Sequence, residues 1–187
     1  ITANVVANSS SLTVTASALN ASGVFTTPLA AGDLVMVIQM QGASLNVDTY
    51  PASEFVNSNG QFWGPYTTPQ GHINDWNQFI QLWGEITNYN NAGKFELAEV
   101  KSVSGANTIS LMCPLTNSYT SAGHVQVVRV PRFANLTINA NTSIVPSLWN
   151  GSTGGVVAVE VNGNLLINSN AKISASGYGF RGGVTED

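Results

Sequence analysis

The chain has little charge, and basic charge is scarcest. Only 9% of its 187 residues are charged, against about 25% in an ordinary soluble domain. The six Lys and Arg residues are scattered, and the net charge is −4. Because a phosphate backbone requires a clustered basic face, the sequence predicts no nucleic-acid partner. Every apolar run is shorter than the roughly 20 residues that cross a bilayer, so no membrane span is predicted.

Cysteine and histidine are equally scarce. Cys113 is the single cysteine, so no internal disulfide forms, and it is predicted to pack in the core as a small hydrophobe. The two histidines, His72 and His124, are too far apart for a zinc spacing, and no cofactor or metal is predicted. Calcium is the remaining alternative, with oxygen ligands around Asp48 (Asn46, Thr49) or around Asp75 (Asn74, Asn77).

Catalytic signatures are also missing. Glycoside hydrolysis requires two placed carboxylates, and residues 134–183 contain only Glu160. The segment 151–154 does not have the Gly-X-Ser-X-Gly form of a nucleophile elbow. The sequence therefore predicts a protein that is not an enzyme.

Asparagine, glycine and apolar residues are abundant. The chain has 21 Asn and 18 Gly, with 43% hydrophobic residues, a mixture typical of an extracellular all-β protein with many tight turns. The apolar run 34–40 predicts a strand buried on both faces. Residues 94–103 alternate, which predicts a solvated face carrying Glu96 and Glu99. These strands predict a small antiparallel barrel or sandwich over residues 1–133.

A repeat with a period of 29 residues occupies the C-terminal part. Residues 135–141 match residues 164–170, and the match continues from Ile144 to Ile173. This spacing predicts the first coils of a parallel β-helix over residues 134–187. Asn at equivalent corners is expected to stack in ladders. The predicted stacking residues are Asn139, Asn141, Asn168, Asn170, Ile173 and Phe180.

The second copy of the repeat lies near the end of the chain. A solenoid coil must stack to bury its apolar face, so a further coil is expected to cover it. We expect either self-association, in which head-to-tail contacts that do not close give a fibre, or further domains of a longer chain. The start at Ile1 without Met indicates a mature or trimmed product.

Residues 43–93 form an aromatic insertion within the first domain. Aromatic rings stack on sugar faces, so the insertion is a candidate site for a surface glycan. The alternative is that these aromatics pack the insertion onto the barrel. The candidate ligand-binding residues are Trp63, Tyr66, Asp75, Trp76, Asn77 and Trp83.

Five blocks, in order along the chain, resemble the N-terminal region of large secreted bacterial cell-surface proteins of the adhesin type, associated with gliding and attachment. The blocks are residues 32–43, 91–96, 127–131, 149–158 and 176–183. The resemblance implies secretion, display on the bacterial surface, and a structural or adhesive module without catalytic residues. The insertion around residues 63–83 is longer than the family pattern.

Overall fold

The computed structural model describes residues 1–20, 25–45 and 86–179. Apart from one 3-10 turn at Ser121–Gly123, the regular elements in these ranges are β-strands, so the predicted all-β fold is confirmed. The strands are β1 (Ser11–Thr13), β2 (Leu34–Gln39), β3 (Ser44–Leu45), β4 (Ile86–Asn88), β5 (Phe95–Ser104), β6 (Thr108–Leu111), β7 (Val125–Val130), β8 (Arg132–Phe133), β9 (Leu136–Ile138), β10 (Ser143–Ile144), β11 (Glu160–Val161), β12 (Leu165–Ile167) and β13 (Lys172–Ile173).

Five strands form one antiparallel sheet in the order β1-β6-β5-β2-β7. Strand β2 lies between β5 and β7, and its residues are buried or half-buried on both faces, as its apolar run predicts. The nitrogen of Ile1 donates to the Val125 carbonyl at 2.7 Å, and the Thr2 amide donates to the Thr13 carbonyl at 2.8 Å. The N-terminal segment therefore links the two edge strands, β7 and β1, across the seam of the sheet.

One face of this sheet packs against the hydrophobic core. The core residues are Val5, Leu12, Val14, Leu29, Val35, Val37, Val100, Ile109, Leu111, Leu115, Tyr119 and Val125. Tyr119 is almost fully buried, and an isolated bridge to Val5 fixes its backbone. The segment that follows β6 therefore contributes Leu115 and Tyr119 to the core.

The prediction for Glu96 is wrong, because β5 contains a bulge. The register between β5 and β6 shifts between Val100 and Ser102, so the alternation of side chains reverses there. Before the shift Glu96 and Val100 face the core side, whereas Phe95 is 59% exposed. Glu99 is solvated as predicted.

The Glu96 carboxylate accepts four hydrogen bonds from the segment after β6. The donors are the Thr116 amide (2.8 Å) and hydroxyl (2.9 Å), the Asn117 amide (3.0 Å) and the Tyr119 hydroxyl (2.9 Å). Burial raises the pKa of Glu96, but these hydrogen bonds outweigh it and the net pKa is below its ordinary value. Burial, and then Glu96, raise the pKa of Tyr119.

The prediction of a buried Cys113 is also wrong. Its thiol is exposed. Strand β6 ends at Leu111, and Cys113 lies in the bend that follows, ahead of Pro114. Because the chain leaves the sheet at this point, the alternation that buries Ile109 and Leu111 does not extend to the cysteine.

Three parallel strand pairs follow the sheet, which confirms the predicted β-helical coils. Strands β8, β9 and β10 belong to coil 1 (residues 132–159), and β11, β12 and β13 belong to coil 2 (residues 160–179). The pairs are β8 with β11, β9 with β12, and β10 with β13. The spacing of 29 positions holds in the last two pairs, where Leu136 lies beside Leu165 and Ile144 beside Ile173.

The chain divides into two compact units. The first comprises residues 1–42 and 91–187, and the second comprises residues 43–90. In the second unit, β3 and β4 pair antiparallel, and Asn90 donates to the Ser44 hydroxyl at 2.7 Å. The boundary between residues 133 and 134 stays a prediction, since residues from both sides of it belong to the first unit.

Candidate stacking site on the second coil

Coil 2 is attached to coil 1 by backbone hydrogen bonds at regular intervals. The Asn162 amide donates to the Phe133 carbonyl at 2.9 Å, and the Ser174 amide donates to the Ile144 carbonyl at 3.0 Å. In the opposite direction, the Leu136 amide donates to the Asn164 carbonyl at 2.9 Å. Coil 1 therefore both donates to coil 2 and accepts from it.

An asparagine ladder joins the corners of the two coils. Asn141 and Asn170 both adopt the left-handed backbone conformation, with φ of 61° and 59°, which Asn tolerates better than most residues. The Asn170 Nδ2 donates to the Asn141 Oδ1 at 3.2 Å. The structure thus brings together these two predicted stacking residues, at the same corner of successive coils.

Asn139 and Asn168 occupy equivalent positions at the start of the same two corners. The Asn139 carbonyl accepts from the Thr142 amide at 3.2 Å, and the Asn168 carbonyl accepts from the Ala171 amide at 2.9 Å. Each asparagine therefore closes a tight turn through its backbone. The Asn168 amide also donates to the Ile138 carbonyl of coil 1 at 3.1 Å.

A second asparagine contact and a glycine fit the start of each coil to the one before it. The Asn135 Oδ1 accepts a hydrogen bond from the Asn164 amide at 2.8 Å. A Cβ at Gly163 would lie 2.6 Å from the Ala134 carbonyl oxygen and 2.6 Å from the Asn135 Oδ1. Position 163 therefore requires glycine because coil 1 approaches its backbone closely.

An ion pair follows the same stacking. Arg132 of coil 1 lies in register with Glu160 of coil 2, and its Nε donates to the Glu160 carboxylate. The hydrogen bond and the charge of Glu160 raise the pKa of the exposed Arg132. The Glu99 carboxylate of β5 lies 3.5 Å from Nη1 of the same guanidinium. Arg132, Glu160, Asn135 and Gly163 are further stacking residues that the sequence does not predict; of these only Asn135, which matches Asn164, lies within the 29-residue repeat.

On the side of coil 2 that faces away from coil 1, apolar side chains are exposed. Ile138 of coil 1 is 4% exposed, whereas its equivalent in coil 2, Ile167, is 45% exposed. Leu165 is also 45% exposed. We call this side, which carries Leu165, Ile167 and Asn170, the open face of coil 2. Covering Ile167 as Ile138 is covered would contribute about 1 kcal/mol, since complete burial of such a side chain contributes about 1.5–3 kcal/mol.

On its open face, coil 2 presents backbone amides and carbonyls equivalent to those that coil 1 uses to pair with coil 2. Within the described ranges, β11, β12 and β13 each pair with one strand only, the strand of coil 1. Asn141 donates its amide to the Ser169 carbonyl at 3.1 Å, and Leu136 donates in the same direction. By the repeat, the amides of Asn170 and Leu165 point away from coil 1. Unpaired strand groups of this kind are templates for further pairing.

The remaining part of coil 1 is held against the sheet by Gln126. Its Nε2 donates to the Gly154 carbonyl at 3.0 Å, and its Oε1 accepts from the Gly154 amide at 2.8 Å. The side chain therefore pairs with a backbone amide as a neighbouring strand would.

An apolar groove of about 470 Å³ lies between the loop around Gly155, the end of coil 2 and the outer face of β2. It is lined by Met36, Ile38, Met40, Phe95, Gly155, Val156, Val157, Ile173, Ser174 and Ala175.

The other predicted site residues are placed as follows. Ile173 pairs with Ile144 and is half-buried. Phe180 and the six ligand-binding candidates of the insertion (Trp63, Tyr66, Asp75, Trp76, Asn77 and Trp83) lie outside the described residues, as do both alternative calcium sites. His124 contacts Trp149 edge to face, with ring centres 6.2 Å apart. Across residues 1–20, 25–45 and 86–179, no group of three or more His, Cys, Asp or Glu side chains is placed to hold a metal ion. In the same ranges, no helix is long and apolar enough to span a membrane.

Comparison with known proteins gives one structural likeness. No family model matches the chain, and no curated protein matches it. Among solved structures, the chain is similar to the tailspike protein gp49 from Pseudomonas phage LKA1, with 16% sequence identity and a TM-score of 0.34. The match covers 91% of this chain and 19% of the tailspike chain, so this chain spans about a fifth of that protein's length.

Proposed function

We propose that this protein is a structural module of an extracellular, surface-displayed adhesive protein of bacteria, and that its task is to begin a parallel β-helix. In this proposal the antiparallel sheet and coil 1 form a folded start, and coil 2 offers its open face to a further coil. The observation that carries the proposal is the contrast between Ile138, which is buried beneath coil 2, and Ile167, which is exposed at the same position one coil later.

Two further observations support this structural role. The contacts between the coils are backbone pairs, two asparagine contacts and one ion pair, and each of them joins residues that lie 28 or 29 positions apart. The backbone pairs and the asparagine contacts can propagate without new chemistry, because coil 2 carries the same groups at the equivalent positions as coil 1. Surface display and attachment are supported by the low charge and by the resemblance of the five sequence blocks to surface adhesins.

The test is to supply the next coil. Residues 160–187 are repeated after Asp187 through one added glycine, which keeps the 29-residue spacing between coils. We expect the added coil to dock, and the amides of Leu165 and Asn170 to exchange with deuterium at least about tenfold more slowly than in the original chain, since each gains a hydrogen bond. A matched control repeats the same residues in scrambled order. Equal exchange in both extended chains contradicts the proposal.

Self-assembly into a fibre is the alternative form of this function, in which the open face of one copy pairs with a coil of another. Light scattering and negative-stain electron microscopy of the original chain, over a hundredfold range of concentration, distinguish the two forms. Growth with concentration, abolished by Ile167→Lys and unaffected by Leu166→Lys, would show that copies stack through the open face. Glycan binding by the aromatic insertion stays a separate prediction.

A further inference from the structure

The contacts between coils 1 and 2 also define which coil the open face accepts. This inference rests on the proposed function. The start of coil 2 fits coil 1 through Gly163 and Asn164: the glycine allows close approach, and the Asn164 amide reaches the Asn135 Oδ1. A coil that stacks on coil 2 in the same register meets the Gly163 carbonyl and the Asn164 side chain, which take the positions of the Ala134 carbonyl and the Asn135 side chain in coil 1.

Coil 1 itself does not meet this requirement. The residue of coil 1 that corresponds to Gly163 is Ala134, which carries a Cβ. An added Cβ on Gly163 would lie 2.6 Å from the Ala134 carbonyl oxygen and 2.6 Å from the Asn135 Oδ1. If coil 1 stacked on coil 2 of another copy, the Ala134 Cβ would meet the Gly163 carbonyl oxygen and the Asn164 Oδ1 at about the same distance of 2.6 Å. One of these neighbours is backbone, so relief requires a shift of the whole coil rather than of one side chain.

The remaining contacts specify the rest of the pattern. The asparagine ladder at Asn141 and Asn170 favours a third asparagine at that corner, because its Nδ2 donates to the Oδ1 of the coil before it. Leu165 and Ile167 favour aliphatic residues above them, as Leu136 and Ile138 show.

We propose that the open face of coil 2 selects a coil of the form Gly-Asn-aliphatic-X-aliphatic-Asn-X-Asn, and rejects coil 1 of a second copy at its alanine. The partner is thus a polypeptide coil built like coil 2. Because Ala134 stands at the position that Gly163 occupies in coil 2, coil 1 does not stack on another such coil and is therefore the first coil of the stack.

The experiment uses the extended chain described above in two versions. In one, the added coil keeps the glycine that corresponds to Gly163, and in the other this glycine is replaced by alanine. We expect slow exchange of the Leu165 and Asn170 amides in the glycine version and exchange at least about tenfold faster in the alanine version. As a control for the glycine-to-alanine change itself, the measurement is repeated with alanine at the added residue corresponding to Gly179, which has open space around it and, like Gly163, no positive φ.

The outcomes separate the two proposals. Slow exchange in the glycine version with fast exchange in the alanine version supports the selection of a glycine coil. Equally slow exchange in both versions overturns the selection and leaves the proposed function standing. Fast exchange in both versions overturns the proposed function, and the selection with it. Concentration-dependent protection of Leu165 in the original chain would show that coil 1 is accepted, and would also overturn the selection.

Discussion

Replacing Glu96 by Gln tests the polar contact between β5 and the segment that follows β6. The carboxylate accepts from two backbone amides and two hydroxyls, and together these bonds hold the segment 116–119 against the core. Glutamine retains one acceptor oxygen and places an amide N–H₂ against donors. Buried hydrogen bonds to a charged group contribute about 1.5–3 kcal/mol, but this carboxylate is partly exposed, so we expect a loss of about 1–2 kcal/mol in the free energy of unfolding.

The assay is thermal unfolding of the wild type and Glu96→Gln at pH 7, with Glu99→Gln as the matched control. A loss of 1–2 kcal/mol lowers Tm by about 3–6 °C for a chain of this size. Glu99 is exposed and lies 3.5 Å from Arg132, so its replacement is expected to change stability by less than about 0.5 kcal/mol. Equal Tm values for the two variants would refute the reasoning.

The pH dependence gives an independent check. The folded pKa of Glu96 lies below its ordinary value of 4.5, so the folded state binds fewer protons there than the unfolded state. The contribution of Glu96 is therefore fully present above the unfolded pKa and is lost as the pH falls from about 4.5 through the folded pKa. The stability difference between wild type and Glu96→Gln should shrink over this range. A difference that stays constant down to pH 2 would contradict the assignment.

Three further predictions concern neighbouring contacts, and each is checked by chemical unfolding at pH 7. Tyr119→Phe removes only the hydroxyl that donates to Glu96 and should lower the free energy of unfolding by about 1 kcal/mol. An unchanged free energy of unfolding would show that water solvates this hydroxyl equally well in the unfolded chain. Gln126→Ala leaves the amide and carbonyl of Gly154 without their side-chain partner and should cost about 2 kcal/mol, whereas a neutral result would mean that water replaces both bonds. Gly154→Ala should destabilise the fold by at least about 1 kcal/mol more than Gly151→Ala. Both glycines have positive φ, but a Cβ at position 154 would lie 2.3 Å from the Leu148 carbonyl oxygen, whereas a Cβ at position 151 would meet open space. Equal losses would contradict the steric argument.

The repeat in the sequence predicted the coils because stacking imposes a fixed number of residues per turn of the solenoid. Residues 29 positions apart must then be alike, and Leu136 and Leu165 pair in that register. The apolar run of β2 was interpreted correctly for a similar reason. Both of its faces are covered, so its sequence does not alternate.

The rest depended on contacts that local patterns do not encode. The bulge near Val100 reverses which side of β5 faces the core, and this is why Glu96 was assigned to solvent. Gln126 looks like an ordinary polar residue of an edge strand, and its role appears only when Gly154, 28 residues later, folds beside it. Gly163 is one of 18 glycines, and the need for it arises from the approach of coil 1 rather than from its own turn.

The central claim concerns the backbone edge of each coil that faces the next coil. In coil 1 this edge is paired with coil 2, whereas in coil 2, among the described residues, the equivalent edge is free to pair with a further coil. Residue-resolved amide exchange of the unaltered 187-residue chain at low concentration tests it most directly, by comparing Leu136 with its equivalent Leu165. The Leu136 amide donates to Asn164, so it should exchange at least about tenfold more slowly than the Leu165 amide, which points away from coil 1. Equal protection of the two amides would contradict the account, because it would mean that the edge of coil 2 is already paired.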